Sequence, residues 1–189
     1  MPAHHDEQAV RVTAIQQVLY RYCRAMDRMD APLTLSCFEP DAGMSYGKLY
    51  QGDPAGFVAW LWPVHAAMVG HTHMLSNVLV GPDGDDPQRA VSEAYVTVTL
   101  RFTSGAEQFD SVGKGRYLDR WAQRDGDWRI VDRRYVSDLR SVVPVDSRDL
   151  SGVMSPDAPS FEGPVSSRDQ NDPSYSFSGL VPQSKRSGG

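Results

Sequence analysis

The chain has 189 residues, 40% of them hydrophobic, 10% aromatic and 23% charged, which is enough for one packed domain plus a tail and argues against wholesale disorder. A net charge of −5 and a pI of ≈ 5.5 exclude a general attraction for nucleic acid or an anionic membrane. No stretch approaches the roughly 20 apolar residues of a membrane span; the polar opening Met1-Pro2-Ala3-His4-His5-Asp6-Glu7 reads as no secretory signal, and two cysteines, Cys23 and Cys37, fit a reducing cytoplasm.

The first predicted element is an amphipathic helix over Thr13 to Asp27, where Ile15, Val18, Leu19, Tyr22 and Met26 follow helical spacing. Asp30 reads as the N-cap of a short second helix through Phe38, with Pro32 near its start. Pro40-Asp41 reads as a turn, and Gly43 to Tyr50 as a strand with Met44, Tyr46 and Lys48 on one side. Asp53-Pro54 opens a third helix carrying Phe57, Trp60, Leu61, Val64 and Met68, in which Pro63 predicts a kink or break. His71 to Val80 reads as a strand. Ala90 to Phe102 alternates strictly: Ala94, Val96, Val98, Leu100 and Phe102 face one way, Glu93, Tyr95, Thr97, Thr99 and Arg101 the other. Val112 to Arg124 and Trp128 to Val136 are two further strands joined by Asp125-Gly126, a strong short-hairpin signal. Helices first and an antiparallel run after them predict an α+β domain in which a curved sheet wraps on about three helices.

That organisation divides the chain into an N-terminal extension over 1–11, a domain over 12–145 and a tail over 146–189. Six of the 13 prolines fall in the last 46 residues, with many serines; such a segment cannot build its own core. Phe161, Tyr175 and Phe177 are spaced aromatics that could dock on the domain or on a neighbouring subunit.

Motifs for nucleotide or serine-hydrolase chemistry are missing. Gly113-Lys114-Gly115 lies inside a strand with no helix behind it, so it is no phosphate loop, and there is no Gly-x-Ser-x-Gly elbow. No cofactor is expected. His71-Thr72-His73 places two imidazoles on one strand face, but a third metal ligand would have to be His65, Asp27 or another carboxylate; we expect no metal. Asp27 sits at the edge of the first helix's apolar stripe. It could cap the following turn, or orient a histidine by accepting from one ring nitrogen and raising the basicity of the other. Arg133 and Arg134 lie on opposite strand faces, so one points inward, where Asp132 or Asp119 could pair with it. Tyr22, Tyr46, Tyr50, Phe57, Trp60, Trp62, Tyr95 and Tyr135 make the expected concavity aromatic. Most read as core, yet several tyrosine hydroxyls near one histidine would suit a flat, oxygenated ligand.

Three stretches carry a family resemblance: Ile15 to Asp27 followed by Phe38-Glu39-Pro40-Asp41-Ala42; His73-Met74-Leu75-Ser76-Asn77-Val78; and Gly115 to Trp121 followed by Asp125-Gly126-Asp127-Trp128-Arg129-Ile130. Over roughly residues 12–140 the chain resembles the SnoaL-like branch of the NTF2-like superfamily, cone-shaped α+β proteins that include scytalone dehydratase and hexachlorocyclohexane dehydrochlorinase. The resemblance implies a His–Asp pair inside the cone that removes a proton during elimination. Its aspartate falls on Asp27 and its histidine, ahead of the third-strand Asn77, on His73. An arginine on the dehydrochlorinase's last strand falls on Arg133. A lysine on that enzyme's first helix meets Tyr22 here, which argues against a dehydrochlorinase copy. The dehydratase's assisting tyrosines have no one-to-one match. The tail over 167–175 also resembles tails of some members.

The expectation is a cofactor-independent lyase releasing water or a small carbonyl such as formaldehyde. Its substrate would be a small oxygenated aromatic or polycyclic compound, with His73, Asp27, Tyr22 and Arg133 catalytic and Tyr46, Tyr50, Trp60 and Asn77 binding. The same groups could serve isomerisation, and the fold also hosts ligand-binding and structural proteins. Expected partners are the substrate and a second or third copy of the chain, joined through the outer sheet face, with neither nucleic acid nor membrane.

Overall fold

The computed structural model describes residues 3–146 and 163–180. Helix α1 spans Ala3–Asp27, starting earlier than Thr13. Residues 7–10 are exposed and carry no apolar stripe, although Arg11 lies over the Trp128 ring at 5.9 Å. Helix α2, Ala31–Ser36, is capped by Asp30, whose side chain accepts from Leu33 N. Strand β1 runs over Phe38–Ser45, which corrects the reading of Pro40-Asp41 as a turn. These residues sit in a register shift between Phe38 and Gly43, where a proline without an N–H is tolerated. The predicted strand beyond Ser45 is instead a tight turn: Tyr46 N donates to Tyr50 O at 2.8 Å and Gly47 takes φ 62°. Strand β2 is Gln51–Gly52.

Helix α3, Pro54–Ala66, starts at Asp53, whose carboxylate accepts from Gly56 N. It neither breaks nor stops at Pro63. The bond a proline cannot make would go to the carbonyl of Ala59, an exposed residue where water can replace it. Four long strands follow: β3 Gly70–Pro82, β4 Arg89–Ser104, β5 Glu107–Arg124 and β6 Asp127–Pro144. They form one curved six-stranded sheet in the order β2-β1-β6-β5-β4-β3, antiparallel except where β1 joins β6. Asp125 and Gly126 turn the β5–β6 hairpin with φ 52° and 86°, the left-handed pair such a turn requires.

The alternation of β4 holds. Ala90, Ala94 and Val96 are buried against Ile15, Leu19, Tyr22 and Met26 of α1, while Tyr95 is exposed on the outer face. The inner face is sealed at one end by Ala90, Trp121 and Ile130 and only half-buried at the other, around Leu75, Val98, Leu100 and Tyr135. The sheet and helices thus make a cone that opens at the second end. The Gly-Lys-Gly stretch has a packing reason: a Cβ on Gly115 would come within 2.7 Å of the Tyr135 ring.

Residues 163–180 lie against the helices. Tyr175 donates to Asp30 at 2.7 Å and stacks under Arg24 at 4.5 Å, and Arg28 pairs with Asp172 at 3.0 Å. Phe177 is exposed and Phe161 lies outside the described residues.

Candidate active site

Asp27 is the last residue of α1, where the chain turns sharply: Met29 takes φ 51° and Asp30 N bonds back to Ala25 O. The carboxylate therefore leaves the helix pointing at β3. It accepts from the His73 backbone N–H at 3.1 Å and from His73 Nδ1 at 2.7 Å. Since a carboxylate only accepts, Nδ1 carries a proton, and in the neutral ring Nε2 then presents a lone pair. Among the described residues, nothing bonds that Nε2. Both side chains are largely covered, at 5% and 14% exposure.

Two more imidazoles adjoin the pair. His71 shares the strand face of His73 and donates from Nε2 to Met26 O at 2.9 Å, leaving Nδ1 buried without a partner. His65, from the last turn of α3, lies 4.3 Å from the His71 ring and 6.4 Å from the His73 ring. Burial, reinforced by the neighbouring imidazoles, pushes His65 down to about 3; burial also lowers His71, against the pull of the Met26 carbonyl. Among the described residues no group of three His, Cys, Asp or Glu side chains is arranged to hold a metal ion. A groove of ≈ 580 Å³ between the end of α1, the start of β3 and the docked tail reaches Asp27 and His71. Arg168 closes its rim by donating to the His65 and Met68 carbonyls at 2.6 and 2.7 Å.

A second polar group lies deeper. Arg133 is wholly buried and makes two 2.7 Å bonds to Asp119, its cross-strand neighbour. Its guanidinium sits between the rings of Tyr22 and Tyr117, at 4.2 and 4.1 Å, and Nη1 is left without a partner. The Tyr22 and Tyr46 hydroxyls bond each other at 3.0 Å. Burial raises both phenols, with Arg133 opposing. Phe57, Tyr46 and Tyr135 stack in sequence, with centroids 4.7 and 5.5 Å apart.

The structure thus joins His73 to Asp27, and Tyr22 to Tyr46 and Arg133. It leaves three expected residues aside. The Tyr50 hydroxyl is tied to Asp53 O at the start of α3, with its ring stacked on the partly exposed Trp60. Asn77 is exposed, with φ 50°, in the register shift between Ser76 and Leu79. Tyr135 and His65 lie beside these groups without a motif that assigns either to them. The signal for Tyr135 was the pair of glycines on the neighbouring strand; His65 has no local signal, because only the end of α3 brings it to β3.

A family model described as a SnoaL-like domain matches residues 7–134. No curated protein matches. Among solved structures, the chain is similar to a candidate scytalone dehydratase from Novosphingobium aromaticivorans, with TM-score 0.65 and 20% identity over 72% of this chain and 90% of that one. It is similar to Rv3472, a protein of unknown function from Mycobacterium tuberculosis, with TM-score 0.58 and 30% identity over 70% and 75%. A third match is a hexachlorocyclohexane dehydrochlorinase from Novosphingobium barchaimii, with TM-score 0.61 and 15% identity over 75% and 94%.

Proposed function

Because the chain belongs to the SnoaL-like family of the NTF2-like superfamily, we propose that it is a cofactor-independent lyase acting on a small oxygenated aromatic or polycyclic substrate. The observation that carries this reading is the Asp27–His73 contact at 2.7 Å, with the distal imidazole nitrogen free of described partners. That is a general base already in its working tautomer. When water leaves, Nε2 takes the proton from the carbon next to the scissile C–O bond, the C–H pair forms the double bond as that C–O bond breaks, and the imidazolium returns the proton to the departing oxygen. When formaldehyde leaves, Nε2 takes the hydroxyl proton, the O–H pair closes the carbonyl as the carbon–carbon bond breaks, and the carbon left behind takes the proton back from the imidazolium. In both, Asp27 stabilises the imidazolium that forms. Arg133, stacked on the Tyr22 ring beside the mutually bonded Tyr22 and Tyr46 hydroxyls, contributes a guanidinium whose field favours substrate oxygen that gains charge.

The test is to incubate the purified, metal-free protein with hydroxylated aromatic, lignin-derived and steroid-like compounds, following loss of water by mass spectrometry and formaldehyde colorimetrically. The expected result is turnover of at least one compound, reduced at least 10²-fold in kcat by His73→Gln and severely by Asp27→Asn, with the fold intact. Consumption of no compound, or wild-type kcat in His73→Gln, would falsify the reading. We place the active protein as a homodimer or homotrimer built on the outer sheet face, where Met74, Leu79 and Tyr95 are exposed. A monomer mass by light scattering contradicts that assembly.

A further inference from the structure

An elimination site needs a donor facing its base, and the tyrosines differ in how free they are to serve. Tyr22 and Tyr46 already bond each other, and Tyr50 is committed to Asp53 O. Tyr135 is half-buried, and its hydroxyl makes no hydrogen bond among the described residues. Its position follows from the sheet register. His73 pairs with Val98, and Val98 pairs with Gly113, so the three form one transverse row on the inner face. The Tyr135 hydroxyl stands 3.7 Å from where a Cβ of Gly113 would be. At about 4.8 Å per strand, that end of the row lies about 10 Å of backbone away from His73.

The two glycines of β5 divide the work. At Gly115 a Cβ would collide with the Tyr135 ring, so this glycine seats the ring. At Gly113 a Cβ would make only ordinary contacts, at 3.7 and 4.0 Å, so this glycine leaves about a methyl group's room beside the hydroxyl. The ring itself is held by stacking on Tyr46 at 5.5 Å and by Tyr117 at 6.0 Å. A phenol whose ring is held by stacking and whose hydroxyl has no described partner, at the half-buried end of the cone, places a donor oxygen in advance of the substrate.

Building on the lyase reading, we propose that the Tyr135 hydroxyl is the catalytic donor to substrate oxygen. It faces His73 across Val98, and the substrate is a flat oxygenated ring lying on the Gly113 floor between them. The donor holds the oxygen through a hydrogen bond, and no atom need be added or removed at Tyr135 itself.

The experiment compares binding of 2-naphthol and naphthalene, followed by ligand fluorescence, in the wild type, Tyr135→Phe and Gly113→Val. The wild type should bind 2-naphthol about tenfold more tightly than naphthalene. Tyr135→Phe keeps the ring stack and should bring that ratio to within about twofold, with naphthalene affinity unchanged. Gly113→Val fills the floor and should weaken both ligands. Tyr95→Phe, on the outer face, should match the wild type. A naphthol preference that survives in Tyr135→Phe overturns the assignment, as does a wild type that binds the two compounds equally or neither of them. The lyase reading fails separately: if no compound is turned over while the preference still depends on Tyr135, the donor stands and the reaction assignment falls. If Tyr135→Phe retains wild-type kcat on a substrate that His73→Gln cannot process, the donor falls and the lyase remains.

Discussion

Arg133 and Asp119 are opposite charges removed completely from water, and such a pair is worth more for what its loss would leave behind than for its own attraction. Burial pushes the Asp119 carboxyl up and the guanidinium pulls it back. Asp119→Asn should cost about 3–5 kcal/mol in urea unfolding, because a buried guanidinium loses its counter-ion. Strand alternation indicates that Arg133 or Arg134 points inward, but it cannot choose between Asp119 and Asp132 as partner. That choice depends on the register shift between Arg120 and Trp121, which no local pattern announces. The imidazoles make a second prediction. His65, lowered to about 3, stays neutral in the fold, whereas the unfolded chain binds a proton near 6.5. Stability should therefore fall as pH drops from about 6.5 toward 3, by about 1.4 kcal/mol per unit for this residue. His71, also lowered by burial, adds to the slope. Urea midpoints at pH 7.5 and 5 measure it, and His65→Gln should flatten it.

Among the elements, those with an uninterrupted period were readable. The stripe of α1, the alternation of β4 and the Asp125-Gly126 hairpin all sit where their patterns put them. Strand β1 was hidden because a bulge around Pro40 and Asp41 has the composition of a turn, and the helix ahead of Thr13 because its exposed residues 7–10 show no apolar stripe. Asp27 stands out at the edge of the α1 stripe and His73 in the His-x-His alternation, but their pairing was readable only through the family resemblance, because the contact spans 46 positions in sequence. Helix α3 depends on its cap, since Asp53 supplies an acceptor to Gly56 N at 2.8 Å. Asp53→Ala should lower stability by about 1 kcal/mol, read as a shift in thermal midpoint. Gly115→Ala should be far more damaging than Gly113→Ala, because only at Gly115 would the Cβ come closer than 3 Å to a ring and a backbone carbonyl.

Across the whole molecule, the described tail residues hold the helices to one another. Arg168 binds the end of α3, while Tyr175 and Asp172 bind the end of α1 and the turn after it. Arg168→Ala should loosen the end of α3 and the turn after it, raising hydrogen exchange in residues 65–69 without altering the sheet. The parallel union of β1 with β6 has a consequence for how the protein is made. Phe38 meets Ile130 and Ser45 meets Arg134, partners about 90 residues apart, and contacts of such separation form late. A ribosome releases β1 long before the strand it must join, so during synthesis Phe38, Ala42 and Met44 wait uncovered. Glu39, Pro40 and Asp41, at the centre of that waiting strand, discourage the wrong neighbour from pairing with it. A transcript cut short before β6 should accordingly yield aggregate rather than a smaller folded protein.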